Sequence, residues 1–264
     1  MSHLMNNYGR LPVSFDHGQG VWLWDKEGHK YLDTLAGIAV NSVGHAHPRL
    51  VRAIADQASK LIHCSNYFNI DLQEKVAEKL VEHSGLEAVF FCNSGLEANE
   101  CAIKIARKFG HAKGIEVPNI IVLKHAFHGR SIATLSATGN PSVREDFSPY
   151  TEGFIFVDES DLDGIRKIVE ENKNVVAIFF EPILGEGGVV PIDLSVIKGI
   201  REICDEHDLL MMCDEVQCGM GRSGKWFAHQ WAEIKPDVIT MAKGLAGGVP
   251  VGAVIVSEKA NIFK

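Results

Sequence analysis

Short apolar runs recur along the chain from residue 88 onward, and stretches with helical periodicity lie between several of them. The runs occupy residues 88–92, 120–123, 154–157, 175–180, 209–213, 238–241 and 253–256. Continuous apolar runs without alternation are typical of strands that are covered on both faces. The helical stretches occupy residues 98–109, 162–171 and 196–207. Strands separated by helices predict an α/β fold with right-handed crossovers and a mostly parallel sheet.

The first 45 residues have a different pattern and are predicted to be rich in strands. Two short apolar segments, residues 20–24 and 30–33, flank a turn-like tetrad that ends at Gly28. This arrangement predicts a β-hairpin.

Two amphipathic helices are predicted between the hairpin and the first apolar run. Their apolar faces consist of Leu50, Ile54, Ala58 and Leu61 in the first helix and of Leu72, Val76 and Leu80 in the second. Asp71 with Glu74 three positions later has the pattern of a capping box at the start of the second helix. Gly85 is predicted to end that helix.

Composition and charge narrow the class of protein. The 264 residues are 46% hydrophobic and 23% charged, which suits one large domain, or one domain with an appendage. The 34 acidic residues outnumber the 26 basic residues. This balance argues against a surface that binds nucleic acid or an anionic membrane. No apolar run approaches the roughly 18 residues of a membrane span, and the N-terminus lacks a secretory-signal pattern.

Cysteine and histidine spacing indicates neither disulfides nor a metal site. The six cysteines include no Cys-x-x-Cys pair, so reduced thiols in a cytoplasmic protein are expected. His45 with His47, and His125 with His128, are pairs without a third ligand at a recognisable spacing. We therefore expect no metal.

In a parallel sheet, ligands bind beyond the carboxyl ends of the strands, so the residues after each run are the candidates for chemistry. Ser94 and Gly95 follow the first run and precede a helix. Free backbone N–H groups at such a helix start form an anion site that suits a phosphate. A plain capped turn explains the same residues, because short glycine motifs recur by chance.

The next two runs are followed by an aromatic and basic segment and by a glycine-rich turn. Phe127 could stack on a flat ligand ring, and Arg130 could bind a carboxylate through two hydrogen bonds. A core phenylalanine and a surface arginine are the alternative. Glu186 lies in the turn 181–188, which is either a mobile loop of an active site or an ordinary loop.

Two carboxylates, Asp214 and Glu215, follow the run 209–213. A buried Asp214 requires a cationic or proton-donating partner, and a protonated ring nitrogen of a cofactor is such a partner. Capping of a loop, or an ion pair with Arg222, remains the alternative.

Lys243 follows the run 238–241 and precedes a glycine-rich segment. Desolvation there would lower the pKa of its amine and free it for Schiff-base chemistry, whereas an ordinary loop lysine is solvated. Taken together, the strand ends offer a phosphate cradle, an aromatic face, a carboxylate for a ring nitrogen and a lysine amine. Pyridoxal phosphate requires this set of groups.

The sequence resembles the class III, subgroup II aminotransferases of fold type I. The resembling segments are residues 37–48, 91–100, 126–130, 181–188, 214–217 and 240–244, in the order of the family and along the whole chain. The resemblance implies the fold of the pyridoxal-phosphate-dependent transferases, with a mostly parallel sheet, flanking helices and a small N-terminal β-rich segment.

The resemblance also implies roles at the cofactor ring. Lys243 would carry the cofactor and move the proton of the substrate, and Asp214 would keep the ring nitrogen protonated. Phe127 and Val216 would sandwich the ring, and Gln217 would contact its phenolic oxygen.

Further roles concern the phosphate and the substrate. Gly95 and Leu96 would donate backbone N–H groups to the phosphate, and Glu215 belongs to the implied cofactor-binding set. Arg130 would bind a substrate carboxylate, and Glu186 resembles a residue that gates a second arginine. Leu96 departs from the family, which often has threonine or alanine there, so that only a backbone contact is retained.

The implied domains are residues 1–45 as the N-terminal segment of a small domain, 46–257 as the large cofactor-binding domain, and 258–264 as the start of a connecting helix. The family continues far beyond Lys243. The resemblance therefore predicts that a C-terminal small domain lies outside these 264 residues, together with a hydroxyl for the partner subunit's phosphate and a second arginine.

The implied activity is a transamination. A cytoplasmic homodimer would move the terminal amine of an N-acylated ornithine to 2-oxoglutarate, without nucleic-acid or membrane partners. Succinylornithine, ornithine and 4-aminobutyrate remain alternative donors. A truncated remnant without catalysis is the alternative from another class, and intact Lys243 and Asp214 argue against it.

Overall fold

A computed structural model describes residues 3–263. The contacts divide the chain after Tyr67 into two compact units. This division falls later than the predicted domain boundary after residue 45, so the first predicted amphipathic helix groups with the N-terminal unit.

The N-terminal unit contains a three-stranded antiparallel sheet. Its strands are β1 (Phe15–Gln19), β2 (Trp22–Asp25) and β3 (Lys30–Leu32), in that order across the sheet. The pairing of Trp22 with Leu32 confirms the predicted hairpin. Its turn depends on Gly28, whose φ of 86° is a conformation that glycine adopts without strain.

Two helices follow in this unit, α1 (Ala36–Ala39) and α2 (Pro48–Ala58). The first is irregular, because Gly37 and Ile38 have positive φ angles inside it. Pro48 occupies the first turn of α2, where its missing N–H costs no hydrogen bond. The helix ends before Leu61, which we predicted to lie on its apolar face.

The C-terminal unit, from Phe68 on, alternates strands and helices. Its helices are α3 (Asp71–Ser84), α4 (Gly95–Ala112), α5 (Ile132–Ala137), α6 (Pro141–Arg144), α7 (Leu162–Glu171) and α8 (Leu194–Glu206). Its strands are β4 (Ala88–Cys92), β5 (Asn119–Leu123), β6 (Phe154–Val157), β7 (Val175–Phe180), β8 (Ile183–Leu184), β9 (Val190–Pro191), β10 (Leu210–Asp214), β11 (Val238–Met241) and β12 (Gly252–Val256). Single 3₁₀ turns occupy Ala228–Ala232 and Lys243–Leu245.

Seven of these strands form one sheet in the order β4-β12-β11-β10-β7-β5-β6. The pairs among β11, β10, β7, β5 and β6 are parallel, which confirms the predicted mostly parallel sheet. Strand β12 runs antiparallel to both of its neighbours. Its first residue, Gly252, therefore lies at the carboxyl-terminal edge of the other strands. A β-carbon there would lie 2.2 Å from the Ser94 carbonyl oxygen, so only glycine lets β12 approach the start of α4 this closely.

Helices cover both faces of the sheet, which explains the continuous apolar runs. On strand β7, Ile178 and Phe180 pack into a core shared with residues of α7 and α8. Their neighbour Phe179 packs into a second core with α4 residues such as Ala102. Successive side chains of a strand point to opposite faces, so a strand between two cores is apolar at every position.

Helix α3 corrects one prediction and confirms another. Ile70 is its N-cap and provides no side-chain hydrogen bond, and Asp71 is already helical, so the predicted capping box is wrong. Gly85 ends the helix in the left-handed conformation, as predicted. Of the predicted apolar face, Leu80 is buried, whereas 51% of Leu72 and 43% of Val76 are exposed.

The predicted helix start within residues 258–264 is not formed as far as residue 263. A turn at 258–260 is closed by hydrogen bonds from the Ala260 and Asn261 amides to the Ser257 carbonyl. A single hydrogen-bonded turn is not a stable helix, because the cost of helix nucleation is offset only when further hydrogen bonds are added. Lys264 lies outside the described residues.

The longest helix, α4, has 18 residues and a mixed surface. Within residues 3–263, no helix has both the length and the apolar character needed to cross a membrane.

Candidate active site

The strand register brings several candidate residues to one edge of the sheet. Phe180 of β7 pairs with Cys213 of β10. The next residues, Glu181 and Asp214, therefore lie side by side at the ends of these neighbouring strands. Asp214 in turn pairs with Thr240 of β11, three positions before Lys243. This edge is where the sequence predicted the chemistry.

Asp214 is buried, with 3% of its surface exposed, and it has three hydrogen-bond donors. Its Oδ2 accepts from Asn99 Nδ2 at 2.7 Å and from His128 Nδ1 at 2.8 Å. Its Oδ1 accepts from the Val216 amide at 3.0 Å. Of the two alternatives, Arg222 is not among these partners, whereas the hydrogen bond from the Val216 amide caps the loop after β10, as the other alternative expected.

Sequence reasoning missed Asn99 and His128 as neighbours of Asp214. Asn99 is buried on α4 and also donates to the His128 carbonyl at 2.7 Å. The His128 ring is buried and stacks on Phe179 with a centroid distance of 4.1 Å. We weighed His128 only as a metal ligand. Its place directly after the candidate stacking residue Phe127 was the available signal.

Unpaired polar atoms concentrate around Asp214. Six buried side-chain polar atoms of the described residues lack a hydrogen-bond partner, and three of them are Asn99 Oδ1, His128 Nε2 and Thr240 Oγ1. Buried polar atoms are nearly always paired, so exceptions require an explanation. Their concentration beside one carboxylate is expected where polar atoms of a ligand complete the site.

The start of α4 has the backbone arrangement that the predicted anion site requires. Ser94 caps the helix, because its Oγ accepts from the Glu97 amide and its carbonyl from the Ala98 amide. The amides of Gly95 and Leu96 precede those of Glu97 and Ala98 along the chain. As amides of the first turn, they have no acceptor within the helix and point out of it. A β-carbon at Gly95 would lie 2.6 Å from Val216 Cγ1, so the helix start packs directly on the segment after Asp214.

The loop after β5, residues 124–130, is here called the Phe127 loop. The Phe127 ring is partly exposed, and the guanidinium carbon of the exposed Arg130 lies 5.7 Å from its centroid. A β-carbon at Gly129 would lie 3.4 Å from Leu96 Cγ, so this loop borders the start of α4.

The turn after β8, residues 185–188, is here called the Glu186 loop. Glu186 is exposed. A β-carbon at Gly185 would lie 2.4 Å from Gln217 Oε1, which places the loop against the segment after Asp214. The two loops also meet, since a β-carbon at Gly187 would lie 2.9 Å from the His125 carbonyl oxygen.

Lys243 is partly buried at the same edge. Burial lowers the pKa of its amine, and the negative charges of Asp214, Glu186 and Glu181 oppose this shift. The backbone φ of Lys243 is 40°, a left-handed conformation that strains a residue with a β-carbon. A desolvated amine on a strained backbone is consistent with a functional lysine.

Glu181 is a further buried carboxyl at this edge, with 5% of its surface exposed. Its Oε2 accepts from the Phe127 amide at 2.9 Å, and its Oε1 from the Gly185 amide at 3.2 Å. Burial and the negative charge of Asp214 raise the pKa of Glu181 to about 8, against the effect of the two amides.

Glu215, although adjacent to Asp214, is directed to a different segment. Its carboxylate accepts from the Ala228 amide at 2.5 Å, from the His229 amide at 2.9 Å and from His229 Nδ1 at 2.7 Å. Both Glu215 and His229 are 1% exposed. These contacts fix the turn at Ala228–Ala232 to the end of β10, and a role of Glu215 in cofactor binding stays a prediction.

Replacing Glu215 by alanine should lower the free energy of unfolding by about 3 kcal/mol, because two backbone amides and an imidazole would be buried without an acceptor. Urea unfolding of both proteins measures this difference. Glu206→Ala removes an exposed ion pair with Arg166 and is the control, expected to change stability by less than about 1 kcal/mol. Equal losses in the two variants would contradict the assignment.

Two of the other candidate histidines pair with carboxylates. His45 Nε2 lies 2.7 Å from Asp33 Oδ2, and His125 Nδ1 lies 3.0 Å from Glu159 Oε2. Within the described part of the chain, no group of three or more potential metal ligands comes together. All six cysteines are free thiols.

The comparison with known families agrees with this geometry. The profile of the family "Aminotransferase class-III" matches residues 4–263, and the chain belongs to this family. An acetylornithine aminotransferase of Nitrosomonas europaea is 53% identical over 100% of this chain and 67% of its own length. The acetylornithine aminotransferase of Synechocystis sp. is 48% identical over 100% of this chain and 63% of its own length.

Solved structures of similar proteins share the fold. An ornithine aminotransferase from Toxoplasma gondii superposes with a TM-score of 0.94 at 33% identity, covering 99% of this chain and 63% of that one. An N-acetylornithine aminotransferase from Stenotrophomonas maltophilia gives 0.83 at 39% identity, covering 96% of this chain and 64% of that one. The chain thus spans about two thirds of the length of the proteins it resembles.

Proposed function

We propose that the chain carries the cofactor site of a pyridoxal-phosphate-dependent aminotransferase. The observation that supports this most directly is the meeting of Lys243, Asp214 and the start of α4 at one sheet edge. Membership of the class-III family supports it independently.

The residues at this edge fit the cofactor. Asp214 Oδ1 has one donor, the Val216 amide, and an oxygen of a carboxylate can accept a second hydrogen bond. Gly95 lets the amides of the α4 start approach Val216, where a β-carbon would clash. Asn99 Oδ1, His128 Nε2 and Thr240 Oγ1 are buried polar atoms without partners within residues 3–263, which is consistent with a polar ligand beside Asp214.

The residues of the chain would divide the work as follows. Pyridoxal phosphate, when bound, supplies an aldehyde carbon and a ring that accepts electrons. Lys243 would hold the aldehyde carbon through its amine until the amine of the substrate displaces it, and the released Nζ would then take up and return the proton of the substrate. Asp214 would hold a proton on the ring nitrogen, with its carboxylate oriented by Asn99 and His128. Gly95 and Leu96 would bind the phosphate through their amides.

Other residues would orient the ring and the substrate. Phe127 and Val216 would bind the two faces of the ring, and Gln217 its phenolic oxygen. The Arg130 guanidinium lies over the Phe127 ring and is exposed, so it can bind a substrate carboxylate. Glu186 would act as the gate of a further carboxylate site.

We propose N2-acetylornithine as the amino donor and 2-oxoglutarate as the acceptor, in the cytoplasmic biosynthesis of arginine by a homodimer. The identities of 48–53% to acetylornithine aminotransferases support this donor. Ornithine is the second candidate, because the ornithine aminotransferase of Toxoplasma gondii superposes with a TM-score of 0.94.

Attachment of the cofactor can be tested without measuring turnover. We expect borohydride reduction after incubation with excess pyridoxal phosphate to place the pyridoxyl mass on the peptide that contains Lys243. Lys104 and Lys124 serve as internal controls, because neither follows β11. A pyridoxyl mass on Lys104 or Lys124, with none on Lys243, would refute the assignment.

A further inference from the structure

Glu181 connects two loops that the proposed mechanism uses separately. It directly follows the fully buried strand β7, and its own surface is 5% exposed. One carboxylate oxygen accepts from the amide of Phe127, which is 54 residues away, and the other accepts from the amide of Gly185. A single side chain thus binds the Phe127 loop and the Glu186 loop.

The two hydrogen bonds use both carboxyl oxygens of Glu181 as acceptors. The ionised form accepts fully at both oxygens, and it prevails above the raised pKa of about 8. Each oxygen of a carboxylate is an acceptor, whereas a glutamine of the same shape offers one oxygen acceptor and an NH₂ group that only donates. Burial of an acid lowers the stability of the fold unless hydrogen bonds compensate for the lost hydration. An apolar side chain at this position would carry no such penalty. The two amides are the compensation that the structure provides.

The connection matters because each loop carries a different part of the proposed site. The Phe127 loop holds the stacking ring and Arg130, and the Glu186 loop holds the gate. Direct packing between the loops is limited by glycine, since Gly187 meets the His125 carbonyl without a side chain. Glu181 adds two hydrogen bonds to that contact, one to each loop.

We propose that Glu181 is a positioning residue that fixes the Phe127 loop and the Glu186 loop relative to each other, and thereby sets the geometry in which the carboxylate of the amino donor is bound. This inference rests on the proposed function. Glu181 acts through Phe127, Arg130 and Glu186 and does not itself contact the substrate.

The test compares Glu181→Gln and Glu181→Ala with the parent, all three in a chain extended to the length of the relatives and loaded with pyridoxal phosphate. Asp237→Asn is the matched control, because Asp237 is a buried carboxylate that accepts the Met211 amide at the opposite edge of the sheet. The readouts are the melting temperature, the visible circular dichroism of the bound cofactor, and KM and kcat for the donor.

We expect the KM of the donor to rise about tenfold in Glu181→Gln and about 100-fold in Glu181→Ala, in step with the loss of one and of two hydrogen bonds. The circular dichroism band should change, because the Phe127 ring no longer fixes the tilt of the cofactor, and kcat should change much less than KM. Asp237→Asn should lower the melting temperature and leave the band and KM unchanged.

Two results separate the possible failures. If the Glu181 variants only lose thermal stability, as Asp237→Asn does, with an unchanged band and KM, Glu181 is a structural residue and the inference is overturned. If the parent protein shows no visible band with pyridoxal phosphate, the proposed function itself fails. Should Glu181→Ala not fold, Glu181→Gln decides the question alone.

Discussion

Replacing Asp214 by alanine should lower turnover by at least about 1,000-fold while the cofactor still attaches to Lys243. The reason is electrostatic: Asp214 is 3% exposed, and in the proposed mechanism its charge would hold a proton on the ring nitrogen of the cofactor. An unprotonated ring accepts electrons poorly, so the proton transfer at the substrate slows, whereas attachment depends on the amine of Lys243. Single-turnover kinetics and the visible absorbance measure the two effects separately.

Asp237→Ala is the control for this prediction, because it removes another buried carboxylate far from the site. It should lower stability with little effect on turnover. Asp214→Asn keeps the side-chain shape without the charge and should resemble Asp214→Ala in rate. An Asp214→Ala variant with more than a tenth of the parent rate would remove Asp214 from the mechanism.

Much of the sheet could be predicted because its central strands are buried on both faces. The runs at residues 175–180 and 238–241 coincide with the fully buried β7 and β11, and those at 88–92 and 154–157 coincide with the edge strands β4 and β6, which are partly buried. A strand between two helical layers is apolar at every position, and polar residues then mark its ends. The apolar pattern of a strand does not show whether it runs parallel or antiparallel to its neighbours. The antiparallel direction of β12 therefore became visible only in the structure.

The helices show the limits of local patterns. The helix predicted at residues 162–171 coincides with α7, whose start is capped by Asp161. The capping box predicted for α3 failed because the pattern of Asp71 and Glu74 fits both the cap and the first turn, and acidic residues stabilise either position. The short helices α5 and α6 have too few residues to show a period, and we did not predict them.

The candidate site was predictable one strand end at a time, but its internal contacts were not. Glycines, carboxylates and a lysine after apolar runs indicate chemistry from the sequence alone. The hydrogen bonds that hold Asp214 come from Asn99 and His128, which are 115 and 86 residues away along the chain. Such partners depend on the order of the strands, which the pattern of apolar runs does not give.

Exposed apolar side chains in the C-terminal unit lead to the second large prediction. Phe68, Leu72 and Phe90 have 68%, 51% and 52% of their surfaces exposed. Large apolar side chains with this exposure are candidates for contact with another segment or subunit. The relatives are longer than the matched region, which corresponds to 63–67% of their length. A chain as long as these relatives would contain a further third, and we expect that part to cover these side chains and to complete the site.

The 264 residues alone should bind pyridoxal phosphate weakly and turn over substrates at less than about one hundredth of the rate of a chain extended through that remaining third. 2-Oxoglutarate carries a carboxylate at each end, and catalysis requires that both be held in the transition state. Arg130 is the cation that we propose for one of these carboxylates, and the family resemblance implies that a second arginine is supplied by the part of the relatives that this chain does not match. The extended chain should therefore gain both affinity for the cofactor and turnover.

The experiment compares the two chains with N2-acetylornithine and 2-oxoglutarate at equal occupancy of the cofactor, so that weaker binding is not mistaken for slower chemistry. Equal rates would mean that the second cation lies within residues 1–264. Arg144 and Arg222 would then be replaced first. The Arg144 guanidinium carbon lies 4.3 Å from the Tyr150 ring centroid, and its buried Nε has no hydrogen-bond partner within residues 3–263. The substitution Arg144→Lys would keep the positive charge and remove the planar donor group. Loss of the 2-oxoglutarate half-reaction in that variant alone would assign the second carboxylate site to Arg144.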